Sequence, residues 1–306
     1  MLTPAFLAAT TFSVFDSAVT IKSADVNNQA VLTNFSVVSS KGLSFDHLDF
    51  TATGSNLNDY AFRVSGSTNI SFDALKVHGS MDNNPNNDTN GFLIRDSANV
   101  TVSNSDFQQL YTGINHLDDN GLTIKGNIIH ELSMDGIRGA GSSNVLIDSN
   151  HMFSFHPING DHPDAIQFWT TGSKANATNI VISNNTYDRG DGTVAQGIFV
   201  EAGDDTAGHI ISGLKILNNT ISGSMYNGIA VSDGQNVQIS GNTVVSFTDM
   251  QSWIRLERGN NISLDHNTAN LYILNNVTNL TETADSFNKA IAITTAEPSV
   301  GLPSNA

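Results

Sequence analysis

Acidic and imidazole side chains cluster in residues 159–169, which read Asn-Gly-Asp-His-Pro-Asp-Ala-Ile-Gln-Phe-Trp. This segment contains Asp161, His162 and Asp164. Asp135 holds the position of Asp164 one repeat earlier, and Arg138 follows it. Two carboxyl groups brought close together repel, so the pKa of one rises unless a cation lies between them. These five residues are therefore our candidates for catalysis, as acid/base groups or around a calcium ion. The alternative is that Asp161 and Asp164 only cap a turn.

A repeated pattern indicates how these residues are positioned. Short copies of the form Asn/Gly-x-x-Ile/Val/Leu-x-x-Asn/Ser start at Asn99, Gly121, Asn144, Asn179, Gly213, Asn236 and Asn261, and weaker ones start at Gly42 and Asn69. Most successive starts are separated by roughly 20–30 residues, which is one coil of a β-solenoid. The two longer intervals predict insertions around residues 156–163, 170–178 and either 188–195 or 203–209.

One asparagine recurs at the same position of six successive copies: Asn127, Asn150, Asn185, Asn219, Asn242 and Asn267. Stacked coils would place these side chains about 4.8 Å apart, where their amides can bond to one another. An Asn ladder of this kind, together with the coil length, resembles the pectate-lyase-like superfamily over roughly residues 42–275. The pattern predicts an all-β, single-domain, right-handed parallel β-helix rather than a β-sandwich, with residues 1–278 in the helix and 279–306 as a tail or capping segment.

A second alternating strand precedes each copy and predicts two buried columns. The first column is Phe62, Phe92, Ile114, Ile137, Ile166, Ile198, Ile229 and Ile254, and the second is Val64, Ile94, His116, Gly139, Phe168, Val200, Val231 and Leu256. His116 is the one polar residue among them. We interpret it as a core histidine bonded to a nearby carbonyl, with catalysis as the alternative.

The alternate positions of the same strands must face outward. They hold four of the six arginines of the chain, and both tryptophans lie on the same face. Arginine suits carboxylates and sulfates, and indole rings suit the apolar faces of sugars. Surface ion pairs with the neighbouring glutamates are the alternative. We predict an outward groove for substrate that is formed by Arg63, Arg95, Asn115, Gln167, Trp169, Glu201, Trp253 and Arg255, with Asp135 and Asp164 on the same exposed wall.

Composition limits the partners. The formal net charge of −16 argues against nucleic acid and anionic lipid, although a few gathered cations can still bind an anionic sugar. Cysteine is absent, which excludes disulfides and thiolate metal sites. No run of about 18 apolar residues occurs, so we expect no membrane insertion. We also expect the chain to be a segment of a longer extracellular or periplasmic protein, whose export signal this segment lacks.

The resemblance implies a substrate class and leaves the reaction open. Polysaccharide lyases, mannuronan carbon-5 epimerases, polygalacturonase-type hydrolases and tailspikes of this superfamily all use such a face for carbohydrate. Our first hypothesis is a lyase or epimerase acting on an acidic polysaccharide that contains uronate, by proton abstraction. A hydrolase with an Asp pair and a non-catalytic sugar-binding module are the alternatives. None of these requires a cofactor, and calcium is the metal that the carboxylates would suit.

Overall fold

The strands of successive coils stack into three parallel sheets of eleven strands each in the computed structural model of the chain. The structure describes residues 9–11, 13–52, 54, 60–158, 160–202 and 207–288. Each coil contributes one strand to sheet 1, one to sheet 2 and one to sheet 3, in that order. The fold is a right-handed parallel β-helix, which confirms the class expected from the repeat.

The strand bounds follow the three sheets. Sheet 1 contains β1 (Ala9–Thr11), β4 (Phe35–Val38), β7 (Tyr60–Ser65), β10 (Asn90–Arg95), β13 (Ile114–Leu117), β16 (Ile137–Ala140), β19 (Asp164–Trp169), β22 (Gln196–Glu201), β25 (Tyr226–Ser232), β28 (Ser252–Glu257) and β31 (Tyr272–Asn275). Sheet 2 contains β2 (Val14–Lys22), β5 (Lys41–Asp46), β8 (Thr68–Asp73), β11 (Ala98–Ser103), β14 (Asn120–Lys125), β17 (Ser143–Asp148), β20 (Ala177–Ser183), β23 (Ile211–Leu217), β26 (Gln235–Ser240), β29 (Asn260–Asp265) and β32 (Thr278–Thr283). Sheet 3 contains β3 (Ala30–Leu32), β6 (Leu48–Thr51), β9 (Lys76–His78), β12 (Asp106–Gln108), β15 (Ile128–His130), β18 (His151–Phe153), β21 (Thr186–Asp188), β24 (Thr220–Ser222), β27 (Thr243–Val245), β30 (Thr268–Ala269) and β33 (Ser286–Phe287). A 3₁₀ turn, Pro85–Asn87, lies in the loop between β9 and β10.

The two columns predicted to be inward form the sheet 1 side of the core. Phe92 pairs with Phe62 and with Ile114, and the register continues without a shift through Ile229. Every member of the first column is 0% exposed. The alternation of apolar and polar residues therefore sets the register of the sheet, because a slip of one residue would turn every side chain to the opposite face.

The repeat starts with Asn or Gly for a conformational reason. Asn144 has a φ of 55° and Gly121 a φ of 80° at the second position of their sheet 2 strands. Side chains with a Cβ disfavour this left-handed region, which asparagine and glycine tolerate best. The start of the repeat is thus the corner at which the chain bends into sheet 2.

The six recurring asparagines lie buried at the corner between sheets 2 and 3 and hydrogen-bond along the stack. The Nδ2 of Asn127 donates to Asn150 Oδ1 at 2.9 Å, and the Nδ2 of Asn150 donates to Asn185 Oδ1 at 3.0 Å. The same pattern continues through the later members, with distances of 2.9–3.0 Å. The last of them, Asn267, donates to Asp285 Oδ1 at 3.0 Å. Each Oδ1 also accepts a backbone N–H, so the row satisfies corner groups that no sheet pairs.

A second row occupies the corner between sheets 1 and 2, and we call it the serine row: Ser40, Ser67, Ser97, Asp119 and Ser142. The Oγ of Ser67 accepts the backbone N–H of Ser40 at 3.1 Å, and the Oγ of Ser97 accepts that of Ser67 at 3.2 Å. Asp119 takes a serine position, and its Oδ1 accepts the N–H of Ser97 at 2.8 Å. The row contains one carboxyl group in an otherwise neutral corner.

The solenoid continues past the predicted boundary at residue 278. Strands β32 and β33 pair in parallel with β29 and β30 and extend the coil to Phe287. Residues 279–287 therefore continue the solenoid within the segment predicted as a tail or capping segment, and residues 289–306 lie outside the described part of the chain. No helix in the described ranges has the length and apolar character needed to cross a membrane.

Candidate functional site

A cavity of about 510 Å³ opens on the outer face of sheet 1, over strands β7 to β22. We call it the sheet 1 groove. Its lining includes five of the predicted substrate and catalytic residues: Asn115, Arg138, Gln167, Trp169 and Glu201. They gather there because Asn115, Arg138 and Gln167 pair directly across β13, β16 and β19, and Trp169 pairs with Glu201 across β19 and β22.

Arg138 is the cation of this groove, and its position is fixed on two sides. Its Nε donates to Asn115 Oδ1 at 2.6 Å, and its Nη1 donates to Asp135 Oδ2 at 3.1 Å. Burial alone would lower the pKa of Arg138, but Asp135 and the Tyr60 hydroxyl raise it, so the guanidinium stays charged. The side chain is 23% exposed, which leaves part of the planar group open to a ligand.

Asp135 and Asp164 lie beneath the groove, and both are 0% exposed. The prediction that they share the exposed wall is wrong. Both residues precede a buried isoleucine by two positions, so the strand alternation itself turns them inward. In this structure neither carboxyl group can contact a ligand in the groove.

The two buried carboxyl groups differ in their partners. Asp135 accepts the backbone N–H of Asp164 at 2.8 Å as well as the bond from Arg138, whereas neither carboxyl oxygen of Asp164 has a hydrogen-bond partner in the described structure. Burial raises the pKa of both, and Arg138 with the amide opposes the rise only at Asp135. Burial and the charge of Asp135 hold the pKa of Asp164 well above its usual value. Asp135 is thus the counterion of Arg138, and Asp164 is the carboxyl group whose ionised form burial disfavours without a compensating partner.

The other two candidates of the acidic cluster lie in residues 160–163, directly before β19. His162 is exposed, and Asp161 is half-buried. The hydroxyl of Tyr111 donates to Asp161 Oδ2 at 3.4 Å. Burial first, and then the charge of Asp161, raises the pKa of Tyr111, whereas Arg138 lowers it. Tyr111 therefore keeps its proton at neutral pH beside the one carboxylate of the cluster that reaches the surface.

Four predicted substrate residues lie on sheet 1 but do not line the groove. Arg63 donates its Nε to the Tyr60 carbonyl, Arg95 pairs with Asp96 at 3.3 Å, and Arg255 pairs with Glu257 at 2.7 Å. Trp253 donates its Nε1 to Asn227 Oδ1 at 3.1 Å, at a point where the register between β25 and β28 shifts. The Arg255–Glu257 pair is the surface ion pair of the alternative interpretation.

His116 is buried, as expected, and it lines the inner side of the groove. Its Nδ1 bonds to the Ser142 hydroxyl at 2.9 Å, which corrects the predicted carbonyl partner. Burial lowers the pKa of His116 to about 3, so the ring is neutral. The ring fits because residue 139 is glycine, where a Cβ would lie 2.3 Å from His116 Nδ1.

Long corners surround the groove where the repeat intervals predict them. Residues 170–176, between β19 and β20, contribute Thr171 to the lining. In the same corner, the backbone N–H of Lys174 donates to Asp118 Oδ1 at 2.9 Å, and its ammonium pairs with Asp96. These contacts reach back across several coils and fix the corner on the solenoid.

A calcium site was the alternative prediction for the carboxylates. Within the described ranges, no three His, Asp or Glu side chains converge closely enough to hold a metal ion. The loop pair Asp204 and Asp205, which we also considered for calcium, lies outside the described residues.

Sequence reasoning did not select several lining residues, among them Tyr60, Leu93, Leu117, Thr171 and Phe199. Phe199 could have been found, because it occupies the same outward column as Arg138 and Gln167. Tyr60 could not, since it precedes the buried Phe62 by two positions and alternation alone would turn it inward.

A three-sheet parallel solenoid with a groove on one face is the architecture of right-handed β-helix proteins. A family model described as "Right handed beta helix region" matches residues 60–244, and the chain belongs to this family. A search of curated protein sequences finds no match.

Solved structures of similar fold are distant in sequence. The surface adhesin PfbA of Streptococcus pneumoniae superposes with a TM-score of 0.52 at 14% identity, covering 90% of this chain and 72% of the adhesin. A D317A mutant of the periplasmic alginate epimerase AlgG has a TM-score of 0.51 at 12% identity, over 92% and 78% of the two chains. The Yersinia enterocolitica family 28 exopolygalacturonase has a TM-score of 0.50 at 11% identity, over 94% and 73%. At these identities the likeness shows the fold alone.

Proposed function

We propose that the sheet 1 groove binds an acidic polysaccharide and that the protein acts on it, outside the cytoplasm, as a lyase or carbon-5 epimerase. The observation that carries the proposal is Arg138, a fixed and partly open guanidinium with aromatic side chains of the groove around it. Arg138 would bind the uronate carboxylate, and Trp169 and Phe199 would pack on the sugar rings. The similar fold of an alginate epimerase and an exopolygalacturonase is consistent with this substrate class.

The reaction needs a cation on the uronate carboxylate and a base for the adjacent proton. Arg138 supplies the cation. Asp161 and His162 are the candidates for the base, because Asp135 and Asp164 are sealed below the groove. Tyr111 keeps its proton next to Asp161 and is placed to return one.

A hydrolase that uses Asp135 and Asp164 is disfavoured. Glycoside hydrolysis generally needs two carboxyl groups flanking the scissile bond. Among the described residues, Glu201 is the one carboxylate that lines the groove. The same observation favours a non-catalytic sugar-binding module as the second candidate function.

The test combines binding with two readouts of proton abstraction. The protein is incubated with alginate, pectate, a gellan-type polymer and a glycosaminoglycan, with a neutral glucan as the uncharged control. Elimination is followed by the ultraviolet absorbance of unsaturated uronate, and epimerisation by deuterium incorporation from heavy water at carbon 5. We expect one of these signals on at least one uronate polymer. Binding without either signal would identify the sugar-binding module instead.

The variant Arg138→Gln tests the anchor. Charge-assisted bonds contribute about 1.5–3 kcal/mol, so we expect affinity for the acidic polymer to fall by roughly 10- to 150-fold. The matched control is Lys215→Gln, which removes a cation from the exposed face of sheet 2. Since Arg138→Gln also leaves Asp135 unpaired, the double variant Asp135→Asn/Arg138→Gln checks that lost binding is not lost folding. Wild-type affinity in both Arg138 variants, or equal binding of the neutral glucan, would contradict the proposal.

A further inference from the structure

A second cavity, of about 430 Å³, lies at the corner where sheet 3 leads into sheet 1. Its lining comes from five successive coils and includes Asn83, Asp88, Gln109, Glu131, His156 and Asp191. None of these residues lines the sheet 1 groove. The cavity is therefore a separate pocket, and its volume lies in the range of roughly 300–1,000 Å³ that is typical of small-molecule sites.

Asp88 is the residue that points to a ligand. It is 3% exposed, and its Oδ1 is buried without a hydrogen-bond partner among the described residues. A buried carboxyl oxygen without a partner costs free energy, since it has given up its bonds to water. A donor bound in the cavity would recover that loss.

Side chains of the cavity wall are held in place by hydrogen bonds to one another. Gln109 Nε2 donates to Asn83 Oδ1 at 2.7 Å and to Glu131 Oε2 at 3.2 Å. The backbone N–H of Asn83 donates back to Gln109 Oε1 at 3.0 Å, and Gln108 donates to the same Glu131 oxygen at 2.7 Å. These bonds use the side-chain donors of Gln109, whereas the buried Oδ1 of Asp88 remains an acceptor without a partner among the described residues.

The charge of the lining selects a cation. Three carboxyl groups, Asp88, Glu131 and Asp191, face one imidazole, His156, and the described lining contains no lysine or arginine. A bare metal ion does not fit, because no three His, Asp or Glu side chains of the described residues converge on one point. An ammonium group has three donors and needs acceptors at hydrogen-bond distance rather than a closed coordination shell.

We propose that this cavity binds the protonated primary amine of an amino sugar, with the ammonium group bonded to Asp88 and the sugar ring against the side-chain amides of Asn83 and Gln109. The cavity volume suits a molecule of that size, and the carboxyl groups exclude an acidic sugar. This site is independent of the sheet 1 groove and of the reaction proposed there.

Proton linkage gives the site a second signature. Burial, and then the charge of Asp82, raises the pKa of Asp88 to about 7. Glu131, His156 and Asp191 are the other titratable groups of the lining. A bound ammonium group favours the ionised form of Asp88, so binding near neutral pH releases a proton.

Isothermal titration calorimetry of the whole protein tests the proposal, with glucosamine, N-acetylglucosamine and calcium chloride as probes. Glucosamine is titrated near pH 7 in two buffers of different ionisation enthalpy, which measures the protons released. We expect glucosamine to bind at least about tenfold more tightly than its uncharged N-acetyl form, with net proton release.

The variant Asp88→Asn should lower glucosamine affinity at least about tenfold and abolish the proton release. It should fold normally, because no described donor depends on the buried Oδ1. Asp191→Asn is the second lining variant, and Asp106→Asn, an exposed carboxylate of β12 outside the cavity, is the matched control. The proposal is overturned if the two sugars bind equally, if Asp88→Asn keeps the affinity and the proton release, if only calcium binds, or if no probe binds.

Discussion

Asp119 makes the stability of the solenoid depend on pH, and Asp119→Ser should remove that dependence. Asp119 is 3% exposed within the serine row, and burial raises its pKa to about 7 against the bonds from the Ser97 and Leu117 amides. The folded state therefore holds a proton that the unfolded chain, with a carboxyl pKa near 3.9, gives up. Its stabilising contribution is complete below about pH 4 and is lost as the pH rises towards 7.

The size of the effect follows from the shift. Each pH unit between the two pKa values costs about 1.4 kcal/mol of unfolding free energy, so the full interval of about three units costs roughly 4 kcal/mol. Only part of that interval lies between about pH 5 and pH 8, where we expect a loss of roughly 2–3 kcal/mol from this group. Serine fits the site, because the serines of the neighbouring coils accept the same backbone N–H.

Urea unfolding of wild type and Asp119→Ser at both pH values measures the difference, with the unfolding midpoint and its slope fitted together. The free energy of unfolding of wild type should fall by roughly 2–3 kcal/mol more than that of the variant between the acidic and the alkaline pH. Asp25→Ser, which removes an exposed carboxylate, serves as the control and should keep the wild-type profile. An unchanged pH profile in Asp119→Ser would refute the reasoning.

Three further outcomes follow from single contacts. Asn185→Ala removes the acceptor of the Asn150 amide and the donor to the Ile147 carbonyl, so thermal and urea unfolding should show a loss of about 2–6 kcal/mol, against no loss in an exposed Asn control. Gly136→Ala places a Cβ 2.6 Å from the Ala165 carbonyl oxygen and should cost about 1–3 kcal/mol or more by the same assay; wild-type stability would show that the coils separate easily. Replacing Arg138 by Met should cost about 3–5 kcal/mol because it strands a buried carboxylate, and adding Asp135→Asn should recover most of it; equal losses in single and double variants would argue against the ion pair.

The fold could be predicted because its pattern is local and repeated. Alternation fixed which residues of sheet 1 are buried, and the Asn or Gly at each repeat start marks a left-handed corner. The same alternation also predicts that Asp135 and Asp164 point inward, since they share the parity of the buried isoleucines. The prediction that they lie on the exposed wall relies on the pairing of two carboxyl groups and ignores this register.

The remaining parts of the site depend on corners, whose conformations no repeat specifies. Tyr111 and Asp161 are 50 positions apart in sequence, and they meet only because the residues directly before β19 lie against an earlier coil. Arg63, Arg95 and Arg255 share the outward face of Arg138, yet each has its own partner and none lines the groove. The alternation of a strand predicts which face a side chain lies on. The corners determine where on that face a pocket forms.

The corners around the groove vary in length while the strands beneath them hardly change. In sheet 3, for example, β18 and β21 flank long corners and are still three residues each, like most of their neighbours. The corners that shape the binding surface and the strands that support it are thus separate parts of the sequence. Moving a long corner to the adjacent coil would translate the binding surface along the axis by one strand spacing, about 4.8 Å, and leave the interior as it is. A scaffold of this kind can acquire a new specificity by insertion alone.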